Sequence, residues 1–310
     1  MQAVYLKPRS TFPAIIHSNT LFGALCRTMD ELGYDTGGFI EQFHEKPPLE
    51  ISSCFPYGIS EKGKTHLFPM PHLPPAKEMK VGFETLKKFK KIQFVDEQAF
   101  REIISGTLRV SDILQSLEKS DDKDTKIFSK TKNLKGCSSA VVDIPHNQIN
   151  RLSTASEQFY HTSGIQYHDG GLFFLIRYHT HEYEEAVNAS LRLLSDRGIG
   201  QRVSSGQGHF DFSFGEIDLQ DNRKAPYLTT LSRFMPRDIT PFGEKIWYDL
   251  VTIRGRSTDG IMKKRVMMLG EGSVFAHVPE GLTGQIATVR SDPPVIEYGL
   301  PFLFGMGCLS

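Results

Sequence analysis

Residues 2 to 8 read as a strand, and the pattern then turns to helical spacing in TFPAIIHSNTLFGALCRTMDELG. Ser18 or Asn19 can cap a helix whose apolar face is Leu21, Phe22, Leu25, Met29 and Leu32, ending at Gly33. Residues 51 to 79 are rich in prolines and aromatics (FPYG, FPMPHLPP) and read as extended or looped chain. Lys87, Lys88, Lys90 and Lys91 precede a short strand, Ile92 to Val95, and residues 97 to 119 read as two short helices split near Gly106. From Gly171 the order is strand (LFFLIRYH), helix, glycine-rich loop, strand. Further strands are expected in YLTTLSRF, IWYDLVTIRG, KKRVMMLG, SVFAHV and LPFLFG. The pattern predicts an α+β chain of two similar units. Each is ferredoxin-like, of the RNA-recognition type, one over 1–160 with an insertion and one over 161–310.

The glycine-rich loop carries the clearest chemistry. GIGQRVSSGQGHFDF sets Gly198, Gly200, Gly206 and Gly208 around Arg202, Ser204 and Ser205. Glycines admit positive φ and close approach of a ligand, consecutive amides form an anion-binding concavity, and arginine is a bidentate phosphate donor. The loop reads either as a cradle for a sugar–phosphate chain or as a linker between two elements. As a cradle, Gly206 and Gly208 would serve an approaching phosphate, and a valine at either would spare the fold. A helix precedes the loop and a strand follows it. A dinucleotide or P-loop site needs the reverse order, so no nucleotide cofactor is expected.

A second polar stretch is IPHNQINRLSTASE, where Asn147, Asn150, Arg151, Ser153 and Thr154 straddle a turn. Such a set can hold phosphates and 2′-hydroxyls or read base edges. It can equally be a polar capping loop, with Ser153 or Thr154 opening a short helix. The segment at 126 to 135, KIFSKTKNLK, holds Lys130, Lys132 and Lys135 and no acid, as a solvated loop would. His17, at the start of the first helix, can act as a general acid or base, contact a phosphate, or be a partly buried turn residue. His179 and His181 flank Thr180 without the further ligands a metal would need, and no metal site or cofactor is expected.

Composition narrows the classes. Thirty-six basic and 36 acidic residues give a net charge of zero, which argues against general electrostatic coating by nucleic acid but leaves room for a local basic groove. The four cysteines, Cys26, Cys54, Cys137 and Cys308, form no CxxC pair. With no signal-peptide pattern and no membrane-length apolar run, a cytoplasmic setting without membrane contact is expected. No paired carboxylates, GxSxG elbow or kinase motif set stands out.

The chain resembles the Cas5-like RAMP subunits of type III-A CRISPR interference (Csm) complexes. The carrying segments are HSNTLFGALC, HNQINRLSTASEQFY and GIGQRVSSGQGHF, supported by LTTLSRFMP, KKRVMMLGEGSVF and YGLPFLFGMG. They occur in the expected order over nearly the whole chain. The resemblance implies two ferredoxin-like domains and a subunit that caps one end of a ribonucleoprotein filament. There it would hold the repeat-derived 5′ tag of the crRNA, dock the large polymerase-like subunit and adjoin the backbone RAMP subunit, which cuts target RNA. Target RNA would be met only indirectly. By this resemblance RNA-binding residues are His17, Ser18, the three lysines of 130–135, and Asn147 to Thr154, lining one cleft with Gly198 to Gly208. A β-hairpin thumb is expected, placed in the lysine-rich 120–140 region. One departure is Asn19, where the family often has aspartate.

A non-catalytic crRNA-binding subunit is therefore the leading reading. The alternative is a metal-independent RAMP endoribonuclease processing precursor crRNA, with His17 or His146 as acid or base and Arg202 or Lys130 stabilising charge.

Overall fold

The structure, a computed structural model, describes residues 1–61, 63–74, 82–120, 126–131, 134, 137, 139–239, 246–257, 260–276 and 284–307. Lys132 and Lys135 lie outside the described residues.

Along the chain run β1 (Gln2–Pro8), α1 (Ser18–Glu31), α2 (Thr36–Glu45), β2 (Leu49–Ile51), β3 (Phe55–Ser60), β4 (Gly63–Pro69), α3 (Phe83–Lys91), β5 (Phe94–Asp96), α4 (Glu97–Ser105), α5 (Val110–Glu118) and β6 (Ile127–Phe128). A long hairpin follows, β7 (Ser139–Ile149) and β8 (Ser156–Tyr167), then β9 (Gly170–Tyr178), α6 (Glu184–Arg197) and β10 (Phe210–Glu216). Among the described residues the last third holds strands alone: β11 (Tyr227–Thr230), β12 (Ile246–Trp247), β13 (Leu250–Ile253), β14 (Val266–Leu269), β15 (Val274–Ala276), β16 (Gln285–Ser291), β17 (Pro294–Gly299) and β18 (Leu303–Met306).

The main sheet has the order β10-β1-β9-β3-β4-β5-β6, with β2 pairing onto β9. Its centre is buried on both faces. In β1, Val4 and Leu6 point into one core with Phe174 and Ile176 of β9, under Leu21, Phe22 and Leu25 of α1 and Val187 and Leu191 of α6. Ala3 and Tyr5 point the other way, with Phe173 and Leu175, against Phe100 and Ile103 of α4, Ile113 of α5, and Val274 and Phe304. A strand covered on both faces needs no polar alternation, which is why LFFLIRY reads as a continuous apolar run. The expected boundary at 160/161 falls within β8, and strands from both sides of it share this sheet.

The C-terminal strands are tied to the first core. Tyr298 of β17 is 1% exposed, stacks on Phe22 at 4.6 Å between centroids, and accepts a hydrogen bond from the Ile51 amide at 3.3 Å. β12-β15-β11-β18 form a four-stranded sheet against the second core.

Three local expectations change. Neither Ser18 nor Asn19 caps α1: His17 occupies the cap position and its side chain makes no capping bond. Ser18 instead accepts the Arg233 amide at 3.1 Å, and Asn19 turns toward β17. Leu32 is 43% exposed, because α1 ends one residue before it. The stretch 144–157 opens no short helix at Ser153 or Thr154: it is the end of a two-stranded ribbon, with the turn at 150–155. The split at Gly106 holds: it closes α4 in the left-handed conformation, φ 79°.

Candidate nucleic-acid interface

The glycine-rich loop connects α6 to β10, as its flanking patterns predict. It is closed by its own backbone. The Ile199 amide donates to the Gly208 carbonyl at 2.9 Å, and the Gly208 amide to Thr11 at 2.8 Å. A Cβ on Gly208 (φ 82°) would stand 2.1 Å from the Ile199 carbonyl oxygen, so this glycine is required by the loop itself. That revises the expectation that a valine there would spare the fold. Gly206 (φ 82°) faces open space, and Gly200 abuts Pro13. Between them Arg202, Ser204 and Ser205 are exposed. Among the described residues, the amides of Gln201 to Ser204 make no hydrogen bond and the Arg202 side chain has no partner.

One side of this loop borders a cleft of about 470 Å³. Its other walls are the exposed face of α1 and the segment after β13, with β17 beside them. Six cationic side chains line it, Arg27, Arg197, Arg233, Arg254, Arg256 and Lys263, against one carboxylate, Glu297. The neutral chain thus concentrates positive charge at one place. Arg27 and Arg197 share Glu31 on the rim. Lys263 Nζ meets Glu297 at 2.7 Å, and Asn19 Nδ2 donates to the other Glu297 oxygen at 2.5 Å. This orients the Asn19 amide and leaves its Oδ1 buried without a partner. The Arg254 side chain has no partner among the described residues.

Behind the cleft lies a buried polar cluster. Glu271 accepts from His17 Nδ1 at 2.7 Å and from the Ser53 hydroxyl at 2.5 Å, and Arg233 Nε stands 3.8 Å away. Burial would raise the Glu271 carboxyl. The bond and charge of His17, with Ser53 and Arg233, outweigh it and hold the group at about 2. A carboxyl depressed in the fold stabilises above its ordinary value of 4.5 and loses that contribution as pH falls toward about 2. The wild type is expected to lose roughly 3 kcal/mol of stability from this group across that window. Glu271→Gln should flatten the corresponding slope in denaturant midpoints measured at stepped acid pH.

The expected site residues fall into separate places. His17 and Ser18 lie at the start of α1 beside the cleft, but both are engaged, His17 with Glu271 and Ser18 with the Arg233 and Ser53 backbone and side chain. Lys130 is ion-paired to Glu102 on the far flank near β6. Asn147, Asn150, Arg151, Ser153 and Thr154 were expected in the same cleft as the loop; they sit instead around the β7–β8 turn. Asn150 Oδ1 accepts the Leu152 and Ser153 amides at 2.8 and 3.1 Å, and Thr154 takes φ 55°. Asn147 accepts from Ser156 at 2.5 Å. Most of this polar set folds the turn. The ribbon meets the loop midway along its length, where Gln207 Nε2 meets Thr162 at 3.4 Å and His146 meets the same hydroxyl at 2.9 Å. From Thr162 to Ser156 the ribbon extends about 20 Å at ~3.3 Å per residue. Its end exposes Leu152 (98%), Ile149 (58%) and Phe159 (67%).

Arg233, Arg254, Arg256 and Lys263 were not singled out from the sequence. Arg233, Arg254 and Lys263 lie in segments read only as strands and Arg256 just after one, and nothing local joins them to the loop earlier in the chain. Among the described residues no helix is long and apolar enough to cross a membrane, and no cluster of three or more metal-ligating side chains occurs.

The chain is similar over nearly its whole length to known proteins. A protein of Thermococcus onnurineus (strain NA1) described as CRISPR system Cms protein Csm4 is 26% identical over 324 residues, covering 98% of this chain and 96% of that protein. A chain of the Csm3–Csm4 subcomplex of a type III-A CRISPR-Cas interference complex shares the fold at TM-score 0.65 and 20% identity, covering 99% of this chain and all of that one (100%). A chain of a Csm1–Csm4 cassette in complex with AMPPNP aligns at TM-score 0.62 and 20% identity, with 98% and 97% covered. No family model matches the chain. The sequence likeness to that Csm4 protein runs over nearly the whole chain, and the chains of the solved assemblies share its fold.

Proposed function

We propose that the chain is a non-catalytic, crRNA-binding subunit of a type III-A CRISPR interference complex, and that the cleft between the glycine-rich loop and α1 holds the 5′ repeat-derived tag. The observation that carries this reading is the lining: six cations against one carboxylate, beside a loop whose four consecutive amides and arginine side chain have no partner among the described residues. Phosphates held along a single strand need this arrangement, and their binding is salt-dependent.

The order β1-α1-β3, then β9-α6-β10, with strands arranged β10-β1-β9-β3, is the ferredoxin-like pattern, and we assign it as the first RNA-recognition-type module. The insertion between β3 and β9 contains the β7–β8 ribbon. We assign the thumb to this ribbon rather than to the lysine-rich stretch before it, because it projects freely and ends in exposed apolar side chains suited to wedge between bases. The Csm4 relatives have been solved in complexes with Csm1 and with Csm3; a large polymerase-like subunit and a backbone RAMP subunit are the corresponding partners proposed here.

The non-catalytic reading is supported by the lining of the cleft, which includes neither His17, bonded to Glu271, nor His146, bonded to Thr162. One titration tests both parts. Labelled single-stranded RNA carrying the repeat-derived tag, incubated with the purified chain in chelator, is expected to bind and to remain intact. A reproducible metal-free cut abolished by His17→Ala would establish the endoribonuclease instead.

A further inference from the structure

Helix α1 forms one wall of the cleft, and Asn19, Gly23 and Arg27 lie on it at four-residue spacing, one turn apart along a single face. Gly23 is exposed, sits in the helix interior, and has none of the left-handed φ that favours glycine. A Cβ built on it would meet nothing within 4 Å. Neither packing nor backbone geometry calls for glycine at this position. Glycine weakens a helix interior more than any residue except proline, so the fold alone would favour almost any other residue. Two other cleft glycines differ: Gly198 and Gly200 have φ of 91° and 111°, with their Cβ positions obstructed, and a Cβ on the third, Gly255, would meet the Lys263 side chain at 3.5 Å.

An absent side chain does one thing here. It lets a ligand reach the helix surface. We propose that Gly23 is a positioning residue for RNA. It admits the ribose–phosphate chain of a single strand against α1 between Asn19 and Arg27, while Arg254 and Arg256 face it from the opposite wall. This rests on the RNA-holding reading of the cleft. The charge of the lining selects a polyanion over a protein surface, and Arg254, without a partner among the described residues, lies across the gap to meet it.

The test uses the full chain with Gly23→Ala, Gly23→Leu and Arg254→Ala. Thermal melting reports the fold, and fluorescence anisotropy with a short mixed-sequence single-stranded RNA reports binding. Gly23→Ala is expected to melt at or up to about 3 °C above wild type. It should bind RNA about 3- to 10-fold more weakly, and Gly23→Leu more weakly still. Wild-type affinity in both Gly23 variants, with Arg254→Ala impaired, would remove RNA from α1 and overturn the proposal while the reading of the cleft stands; a protein partner would then be the occupant of that face. Wild-type affinity in all three variants, or no RNA binding by the wild type, would overturn the cleft reading and the proposal together. A Gly23→Ala variant melting several degrees lower would assign the glycine to folding and refute the proposal.

Discussion

Replacing Arg202 and Arg254 together with alanine is expected to weaken tag-RNA binding about a hundredfold while leaving the melting temperature unchanged. Both side chains are free of partners among the described residues, so their loss breaks nothing in the fold. Arg254 lines the cleft after β13 and Arg202 is exposed on the loop that borders it, so a strand running from the cleft over the loop would meet both. A charge-assisted bond contributes about 1.5–3 kcal/mol, and two lost bonds with partial compensation give roughly 3 kcal/mol. The salt dependence should fall as well, by about 0.7 in the log–log slope for each single-strand phosphate contact removed. Arg151→Ala, at the end of the ribbon, is the matched control and should leave tag affinity near wild type. Unchanged affinity and slope in the double variant would refute the proposed path of the RNA.

Gly208→Val is expected to damage the fold itself. Its Cβ would lie 2.1 Å from the Ile199 carbonyl oxygen and 3.0 Å from the Ile199 nitrogen, in a backbone held at φ 82°. A β-branched residue is poorly suited to that φ, and the obstructing atoms are backbone that cannot step aside. Relief would require breaking the Ile199–Gly208 closure and the Gly208–Thr11 bond that anchors the loop to the segment after β1. The cost should be about 3 kcal/mol or more, seen as a melting temperature roughly 5–10 °C lower. Gly206→Val, with the same φ but open space around it, should lose only about 1–2 kcal/mol. Equal melting of the two variants would mean that loop closure does not depend on Gly208.

These two glycines also mark the limit of local reading. Both stand in a recognisable glycine-rich segment, and from letters alone both serve an approaching phosphate. Only the fold separates them, because it brings Ile199 back against Gly208 and leaves Gly206 facing solvent. The polar set from Asn147 to Thr154 behaves similarly. Its side chains were legible as hydrogen-bonding groups, but most of their bonds close a turn, and which bonds a turn consumes depends on its geometry.

What the sequence by itself determined was local and periodic: the first strand, helix α1, the paired helices α4 and α5 about Gly106, and the order helix, loop, strand around the glycines. Spacing of apolar residues and positive-φ glycines act over a few positions, so they survive without tertiary context. The tertiary structure decided the rest. It paired β1 with both β9 and β10 across some 170 to 210 residues of sequence, raised the ribbon away from the cleft, and gathered Arg233, Arg254, Arg256 and Lys263 opposite α1. A basic cleft in a chain of zero net charge is a matter of which distant surfaces face each other, and that is set by burial of two cores on either face of one sheet rather than by any neighbouring residues.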